Sequence, residues 1–547
     1  MPTRTDTAPN PPRPLRLRDL IDAAVATAPD RIAVIDERGR VTYTELAFLS
    51  DRLTQQLRAA GVAAGDRIGL WLPNSSFWLA VHLALARIGA VAVGVNCRYP
   101  VAETARITDA AQLRALIVDI DSGGVADPDT VSELIKSTDS PIDTIFNRSG
   151  HFEVQSGAVC VDLSAPGRCT SEPGADSDPD VPFAIFTSSG STGRPKLIAH
   201  SQRGICAHSV AVAESFGYTS PGTVVLGQLP ICGVWGFNTV YAALAAKATV
   251  VTMERFEPSE AVALIDKHAV TTANGPDLFI RQLFTAADSG QSALKSLRSI
   301  GFSTFSNDAD ELIGWADSLG VTLFQVYGSS EQQALMLHQS SDAEPAVRAE
   351  PGGTASNPET LTRIRDTTTG AIVTEGGSGE LETFGPNVML GYLAGATVDR
   401  SAFTSDGWLR TGDICQATAV GVRYLARDKD VLRLSGFLVD PQEIEVEMEK
   451  LDGILEAKVV GVDTPKGPRC VAFVRANPPT HLDTNSILKQ CRSAMASFKV
   501  PVAVYVVDEY PRVDGANGPR IQRLALRNLA ISKGLSMKKS SRRDVWG

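Results

Sequence analysis

The sequence predicts an α/β protein built on mostly parallel sheets, and three observations carry that expectation. Short β-rich runs recur along the 547 residues, and Ala/Leu-rich stretches of helical period separate them. The strict alternation of the two is the pattern of βα units wound around parallel strands. No internal repeat appears at periods of roughly 20 to 50 residues, which removes the usual support for solenoids and propellers.

The strand candidates come in order as RIAVI at Arg31 to Ile35, then ALIVDI, TVVLGQL, ATVVTM and VTLFQVYG. Each is a compact run of apolar, largely β-branched residues of the length a buried strand needs. The segment from Pro166 to Asp180, PGRCTSEPGADSDPD, has no apolar periodicity and reads as a surface loop. At on the order of 100 to 200 residues per domain, the chain has room for two to four folding units.

Composition narrows the function. Hydrophobic residues make up 43% and charged residues 21%, as in ordinary globular proteins. The net charge of −10 repels polyanions, so nucleic acid is not an expected partner. Lys538, Lys539, Arg542 and Arg543 cluster near the C-terminus among serines and read as a solvated tail. No stretch reaches the roughly 18 apolar residues of a membrane span, and the N-terminal segment has no apolar signal core, so no membrane association is expected. Eight cysteines are scattered without CxxC or Cys/His ligand spacing, and a reducing cytoplasmic location fits them.

The most informative segment is FTSSGSTGRPKLIAH, Phe186 to His200. A strand-like approach leads into Thr187, Ser188, Ser189, Gly190, Ser191, Thr192 and Gly193, and Lys196 follows. Glycines let backbone N–H groups turn inward as an anion nest, hydroxyls donate further bonds, and lysine adds a point charge, so such a loop can wrap a polyphosphate. It lacks the Gly-Lys-Ser/Thr of a Walker loop.

This string resembles the phosphate loop TSGTTGxPKG of the ANL superfamily of adenylate-forming enzymes, and four further motifs follow in that family's order. YGSSE, Tyr327 to Glu331, is similar to its YGxTE; RTGD, Arg410 to Asp413, to its TGD; Arg427 in LARDKD to its hinge segment; and SGFLVDPQEIE, Ser435 to Glu445, to its GxxVxPxEIE. VTYTEL at Val41, the block from Pro73 to Pro100, and GPNVMLGYL at Gly385 to Leu393 extend the likeness over nearly the whole chain. The resemblance implies a large N-terminal domain, 1–428, holding adenylate and acyl group, and a small mobile α+β C-terminal domain, 429–547.

Its implied chemistry is that of an acyl-CoA ligase using ATP, Mg²⁺ and coenzyme A on a carboxylic acid. Tyr327 would lie against adenine, with Gly328 and Ser330 beside it; Asp413 would take the ribose hydroxyls; Arg427, Lys429 and Gly436 would border the nucleotide at the hinge. Glu331 would hold Mg²⁺, and Lys196 and Arg433 would join it in catalysis. Two of these roles have independent physical support. A carboxylate accepts both hydrogen bonds of a vicinal diol. Mg²⁺ is commonly held by one or two carboxylates plus substrate phosphates.

Three departures from the family pattern matter. The family's C-terminal catalytic lysine aligns with Arg520 in YPRVDGANGPRIQRLALR. A planar guanidinium does not place charge where a flexible ammonium does, so adenylation is the step in question. The chain would then receive acyl-AMP from a separate adenylating enzyme, or Arg520 would substitute. In LPICGVWGF, Gly233 stands where relatives have histidine, and Trp235 and Phe237 follow; in GFSTFS, Phe302 and Ser303 replace the usual SGGAP residues. Together these imply a large apolar acyl group. An NRPS-type adenylation enzyme and a non-catalytic adenylate-binding protein are the alternatives.

Overall fold

The computed structural model describes residues 15–533 except 122–125, 155–156, 165–176, 189–194, 288–293, 304–308, 367–368, 428–431, 435–436, 440, 465–466, 478–481, 516–517 and 522. Every strand candidate is a strand. Ala115–Val118 lies in a nine-stranded sheet; Ile32–Asp36, Val224–Gly227, Thr249–Thr252 and Thr322–Tyr327 lie in a thirteen-stranded one.

Each sheet has a parallel centre; the larger is antiparallel at both margins and the smaller at one. In the larger, Val224–Gly227, Thr272–Pro276, Ser299–Ser303 and Thr322–Tyr327 follow one another in parallel register. The sheet then continues through antiparallel strands to Gly421–Arg427, Leu409–Thr418, Ser378–Phe384 and Leu361–Arg365. The smaller sheet runs parallel from Val91–Gly94 through Arg67–Trp71 to Thr144–Asn147. On its other side Ala184–Ser188 turns back into Lys196–His200, which pairs with Gly391–Ala394.

Helices fill the space between the sheets. Ser76–Ile88 buries all but Arg87 of its 13 residues, because its sequence, SFWLAVHLALARI, is apolar all round. Ser75 caps its start through Trp78 N–H, and Gly89 ends it in the left-handed conformation at φ 83°. Val234–Ala245 is almost as buried. The largest apolar cluster joins these helices to Leu70, Ala92 and Phe186 of one sheet and Val34, Val250 and Phe324 of the other. Further helices cover the outer faces, Asp277–Ala287 and Ala309–Ser318 on the larger sheet and Val101–Ala111 and Pro128–Lys136 on the smaller, so the layers are helices, sheet, helices, sheet, helices.

The C-terminal part is smaller and separate in its sheet. Ile454–Thr464, Gly467–Ala476 and Ala503–Val506 form three strands, with helices Pro441–Glu449, Thr484–Ala494 and Arg523–Ser532 against them. It meets the N-terminal part across an ionic seam. Lys499 reaches both Glu103 and Glu443, the latter at 2.6 Å, and Ala496 N–H donates to Glu103 at 3.2 Å. Arg106 pairs with Glu447 and donates to the Ala494 carbonyl at 3.3 Å. Burial alone would lower the Lys499 ammonium, but Glu443 and Glu103 hold it above its ordinary value; burial pushes the Glu443 carboxyl up. Among the described residues no helix is long and apolar enough to cross a membrane.

Candidate active site

The hairpin of Ala184–Ser188 and Lys196–His200 brings Ser188 level with Lys196, and Thr187 and Ser188 are half-buried at its end. Ser189 to Gly193, the rest of the phosphate-loop candidate, lie outside the described residues. Lys196 is exposed, and its Nζ stands 5.0 Å above the ring of Tyr392 on the neighbouring strand. The Tyr392 hydroxyl donates to Glu331 Oε1 at 3.0 Å. One tyrosine thus links the lysine and the acid that sequence motifs placed apart.

Glu331 sits in a single 3₁₀ turn, Ser330–Gln332, that is pinned from three sides. His200 Nε2 donates to the Ser330 carbonyl at 2.8 Å, Met389 N–H to the Glu331 carbonyl at 2.8 Å, and Asn387 Nδ2 to the Gln332 carbonyl at 3.1 Å. Burial keeps His200 neutral, down to about 4. After the turn Gln333, Ala334 and Leu335 all adopt positive φ, at 63°, 50° and 44°. Left-handed backbone costs a non-glycine residue roughly 1 to 2 kcal/mol, and runs of it gather at functional sites. Gly328 accommodates the fold-back: a Cβ there would stand 2.7 Å from the backbone of Ala334.

Tyr327 and Asp413 meet directly. The Tyr327 hydroxyl donates to Asp413 Oδ2 at 2.6 Å, and its ring lies 5.7 Å from that of Tyr424. Asp413 is buried, next to Gly412 at φ 71°, and strand register puts Arg427 opposite it. Thr187, Ser188 and Lys196 at the hairpin, Tyr327 at its strand end, Gly328, Ser330 and Glu331 in and before the turn, and Asp413 with the backbone of Arg427 opposite it are thus linked through Tyr392 and Tyr327. Lys429 and Gly436 lie outside the described residues. Arg433 pairs with Leu438 in one hairpin and Arg520 with Val513 in another; only their backbone is described.

The acyl-site candidates divide. Gly233 and Trp235 are half-buried at the start of Val234–Ala245. Phe237 is fully buried against Trp78, His82, Phe186 and Tyr241. Phe302 is fully buried on the other face of its sheet, with Phe284, Leu312 and Leu323. These two rings belong to different cores, and Ser303 ends the Phe302 strand half-buried.

The family model of the AMP-binding enzymes matches residues 21–393, and that of the AMP-binding enzyme C-terminal domain matches residues 443–515. The chain belongs to the AMP-binding enzymes. Within this adenylate-forming ANL superfamily, it is 29% identical over 510 residues to the 3-[(3aS,4S,7aS)-7a-methyl-1,5-dioxo-octahydro-1H-inden-4-yl]propanoyl:CoA ligase of Mycobacterium tuberculosis, covering 90% of this chain and 95% of the relative. It is 28% identical over 514 residues to the 2-hydroxy-7-methoxy-5-methyl-1-naphthoate–CoA ligase of Streptomyces carzinostaticus, covering 89% of each. Its fold is that of an o-succinylbenzoate CoA synthetase from Bacillus subtilis, at TM-score 0.78 and 21% identity, covering 93% of this chain and 98% of that one.

Proposed function

We propose that this AMP-binding enzyme is an acyl-CoA ligase that joins a carboxylic acid to coenzyme A through an acyl-adenylate. The observation that carries the reading is the line Lys196, Tyr392, Glu331, with Tyr327 bonded to Asp413 beside it. That line offers a cation for phosphates, a hard oxygen for a metal, and a carboxylate and aromatic ring for a nucleoside.

In this reading the 187–193 loop and Lys196 hold the polyphosphate of ATP, Tyr327 lies against adenine, and Asp413 accepts the ribose hydroxyls. Glu331 fits Mg²⁺: it is a half-buried carboxylate beside the phosphate cation, anchored through one oxygen by Tyr392. Bound there, the ion would offset polyphosphate charge. An oxygen of the substrate carboxylate attacks the α-phosphorus, the bond to the β-phosphate oxygen breaks, and pyrophosphate leaves. The CoA thiolate then attacks the acyl carbon, the carbonyl bond to AMP breaks, and AMP leaves with the electron pair.

The two steps need different arrangements about a pivot at Lys429, dividing domains 1–428 and 429–547. The sheet boundary supports this, since the thirteen-stranded sheet ends at Arg427 and the next strands form sheets of their own. In the second arrangement Arg433 would face the cleft, and in the first Arg520 would stand at the lysine position. The acid has a large apolar body, for which Gly233 would leave room and the half-buried Trp235 would supply an apolar wall.

The test supplies purified protein and CoA with either acid plus ATP or preformed acyl-AMP. Product from both arms supports a two-step ligase in which Arg520 serves. Product from acyl-AMP alone, without exchange of pyrophosphate into ATP, supports a thioester-forming enzyme fed by a separate adenylating enzyme. No product from either arm overturns the ligase reading.

A further inference from the structure

Behind the site, the helical layer holds a group of buried amides and one imidazole. Val234–Ala245 is apolar except for Asn238 and Thr239, which stand side by side and are both buried. Asn238 Nδ2 donates to the carbonyls of Val234 at 3.0 Å and Gln333 at 2.6 Å. On the neighbouring helix, Gln202–Ser215, His208 Nε2 donates to the Ala334 carbonyl at 2.9 Å. Both side chains therefore hang on the left-handed turn that follows Glu331.

A second pair lies across Thr239. Asn274 Nδ2 meets Thr239 Oγ1 at 3.1 Å and the Tyr218 hydroxyl at 2.7 Å, and Gln228 Nε2 donates to the Asn274 carbonyl at 2.6 Å. Asn274 lies against Gly301, whose added Cβ would come within 2.3 Å of its Oδ1. That glycine directly precedes Phe302 and Ser303 on the strand leading into the site.

The hydrogen bonds already made fix what is left over. Asn238 and Gln228 spend their N–H groups on carbonyls, so Oδ1 and Oε1 remain as acceptors. His208 donates through Nε2, and burial holds the ring neutral, down to about 4, so its Nδ1 is an acceptor as well. Asn238 Oδ1, Gln228 Oε1, His208 Nδ1 and Asn274 Oδ1 have no hydrogen-bond partner among the described residues, and all four residues are at most 4% exposed. An unmet buried acceptor costs on the order of 1 to 3 kcal/mol, so four in one layer call for a donor. Gln333, buried on the same turn, leaves its Nε2 and Oε1 unmet as well, which adds one donor and one more acceptor. A carbonyl or carboxylate would suit that donor alone and bring acceptor to acceptor elsewhere. An ammonium would want a carboxylate, and these groups include none. A hydroxyl matches.

We propose that the acid activated here has a hydroxylated acyl group, whose hydroxyls donate to the acceptors of His208, Asn238, Asn274 and Gln228 while the rest of the acyl body stays apolar. The inference rests on the adenylate reading above. A site built to bond a hydroxyl discriminates strongly against the analogue that lacks it, because its acceptors then stay unmet.

The experiment uses the full chain and a set of 2-naphthoyl sulfamoyladenosines, stable mimics of an acyl-adenylate, with one hydroxyl at each ring position in turn, against the unsubstituted parent. Calorimetry should show at least one hydroxylated mimic binding about tenfold or more tighter than the parent. Asn238→Leu or Asn274→Leu should bring that ratio close to one. A parent that binds as tightly as every hydroxylated mimic overturns the inference and leaves the adenylate reading standing. A preference that survives both substitutions overturns it too, since the hydroxyl would then be read elsewhere. If no mimic binds at all, the adenylate reading falls and the inference with it.

Discussion

Tyr392 serves two neighbours at once, its ring under Lys196 and its hydroxyl on Glu331. Tyr392→Phe keeps the ring and removes the bond. With a net hydrogen bond to a charged group at about 1.5 to 3 kcal/mol, the KM for ATP should rise on the order of tenfold while that for CoA stays put. Steady-state kinetics with each substrate varied would check this, and an equal rise in both would refute it. Asp413→Ala should weaken binding of an acyl-adenylate mimic by a similar energy, read by calorimetry. Asp413, Tyr327 and Glu331 could be singled out as candidates in the sequence because they stand in short motifs, and the structure puts the first two in contact. Tyr392 was not, for nothing in GPNVMLGYL separates it from a core tyrosine until the strands at 391–394 and 196–200 are paired. Phe237 and Phe302 show the opposite limit: aromatic residues near a motif read equally well as pocket walls or as core, and only the fold shows them fully buried in separate clusters.

At the level of elements, the turn from Gly328 to Leu335 is the costliest piece of backbone in the site. Gly328→Ala would drive a methyl group into the Ala334 backbone, and such overpacking typically costs about 1 to 3 kcal/mol. Thermal unfolding should show that loss, and affinity for an adenylate mimic should fall with it. A variant as stable and as tight-binding as the parent would mean that the turn adjusts freely. The sequence does not announce this turn, since SEQQAL contains no glycine, asparagine or proline to mark left-handed backbone. The parallel strands were readable from their apolar runs. The antiparallel half of the large sheet, from Leu337–His338 to Gly421–Arg427, was less so, because its strands alternate polar and apolar residues between turns and pair across long separations.

For the whole molecule, two features predict behaviour away from the site. His82, His200 and His208 are buried and neutral, with burial lowering them to about 3, 4 and 4. Below the ordinary histidine value of 6.5 the unfolded chain takes up protons that the native chain refuses, so stability is full near neutrality and falls as pH drops from 6.5 toward 4. At pH 5 each histidine should cost about 2 kcal/mol relative to pH 7. Melting curves across that window would check the slope, and a flat profile would contradict it. The second feature is the seam of Glu103, Lys499 and Glu443. Glu103→Gln leaves Lys499 with one carboxylate, and losing a buried partner costs on the order of 3 to 5 kcal/mol, which should loosen the C-terminal part. Limited proteolysis within the C-terminal part should accelerate by tenfold or more; unchanged cleavage would mean that the seam does not hold the two parts together.

The helix Ser76–Ile88 has a further consequence, for how the chain can be divided. Hidden on every side, it has no solvent face of its own, and it draws its neighbours from both sheets. Neither sheet can complete its interior alone, and each draws strands from both early and late in the chain: the nine-stranded one closes only with Gly391–Ala394 and Thr397–Asp399, and the thirteen-stranded one already contains Ile32–Asp36. A fragment ending at Gly217 would carry this helix with half of its covering missing, an oily cylinder laid open to water. Such a fragment should precipitate when expressed alone and dissolve when the remainder is supplied in the same cell, the two pieces assembling as one cooperative body.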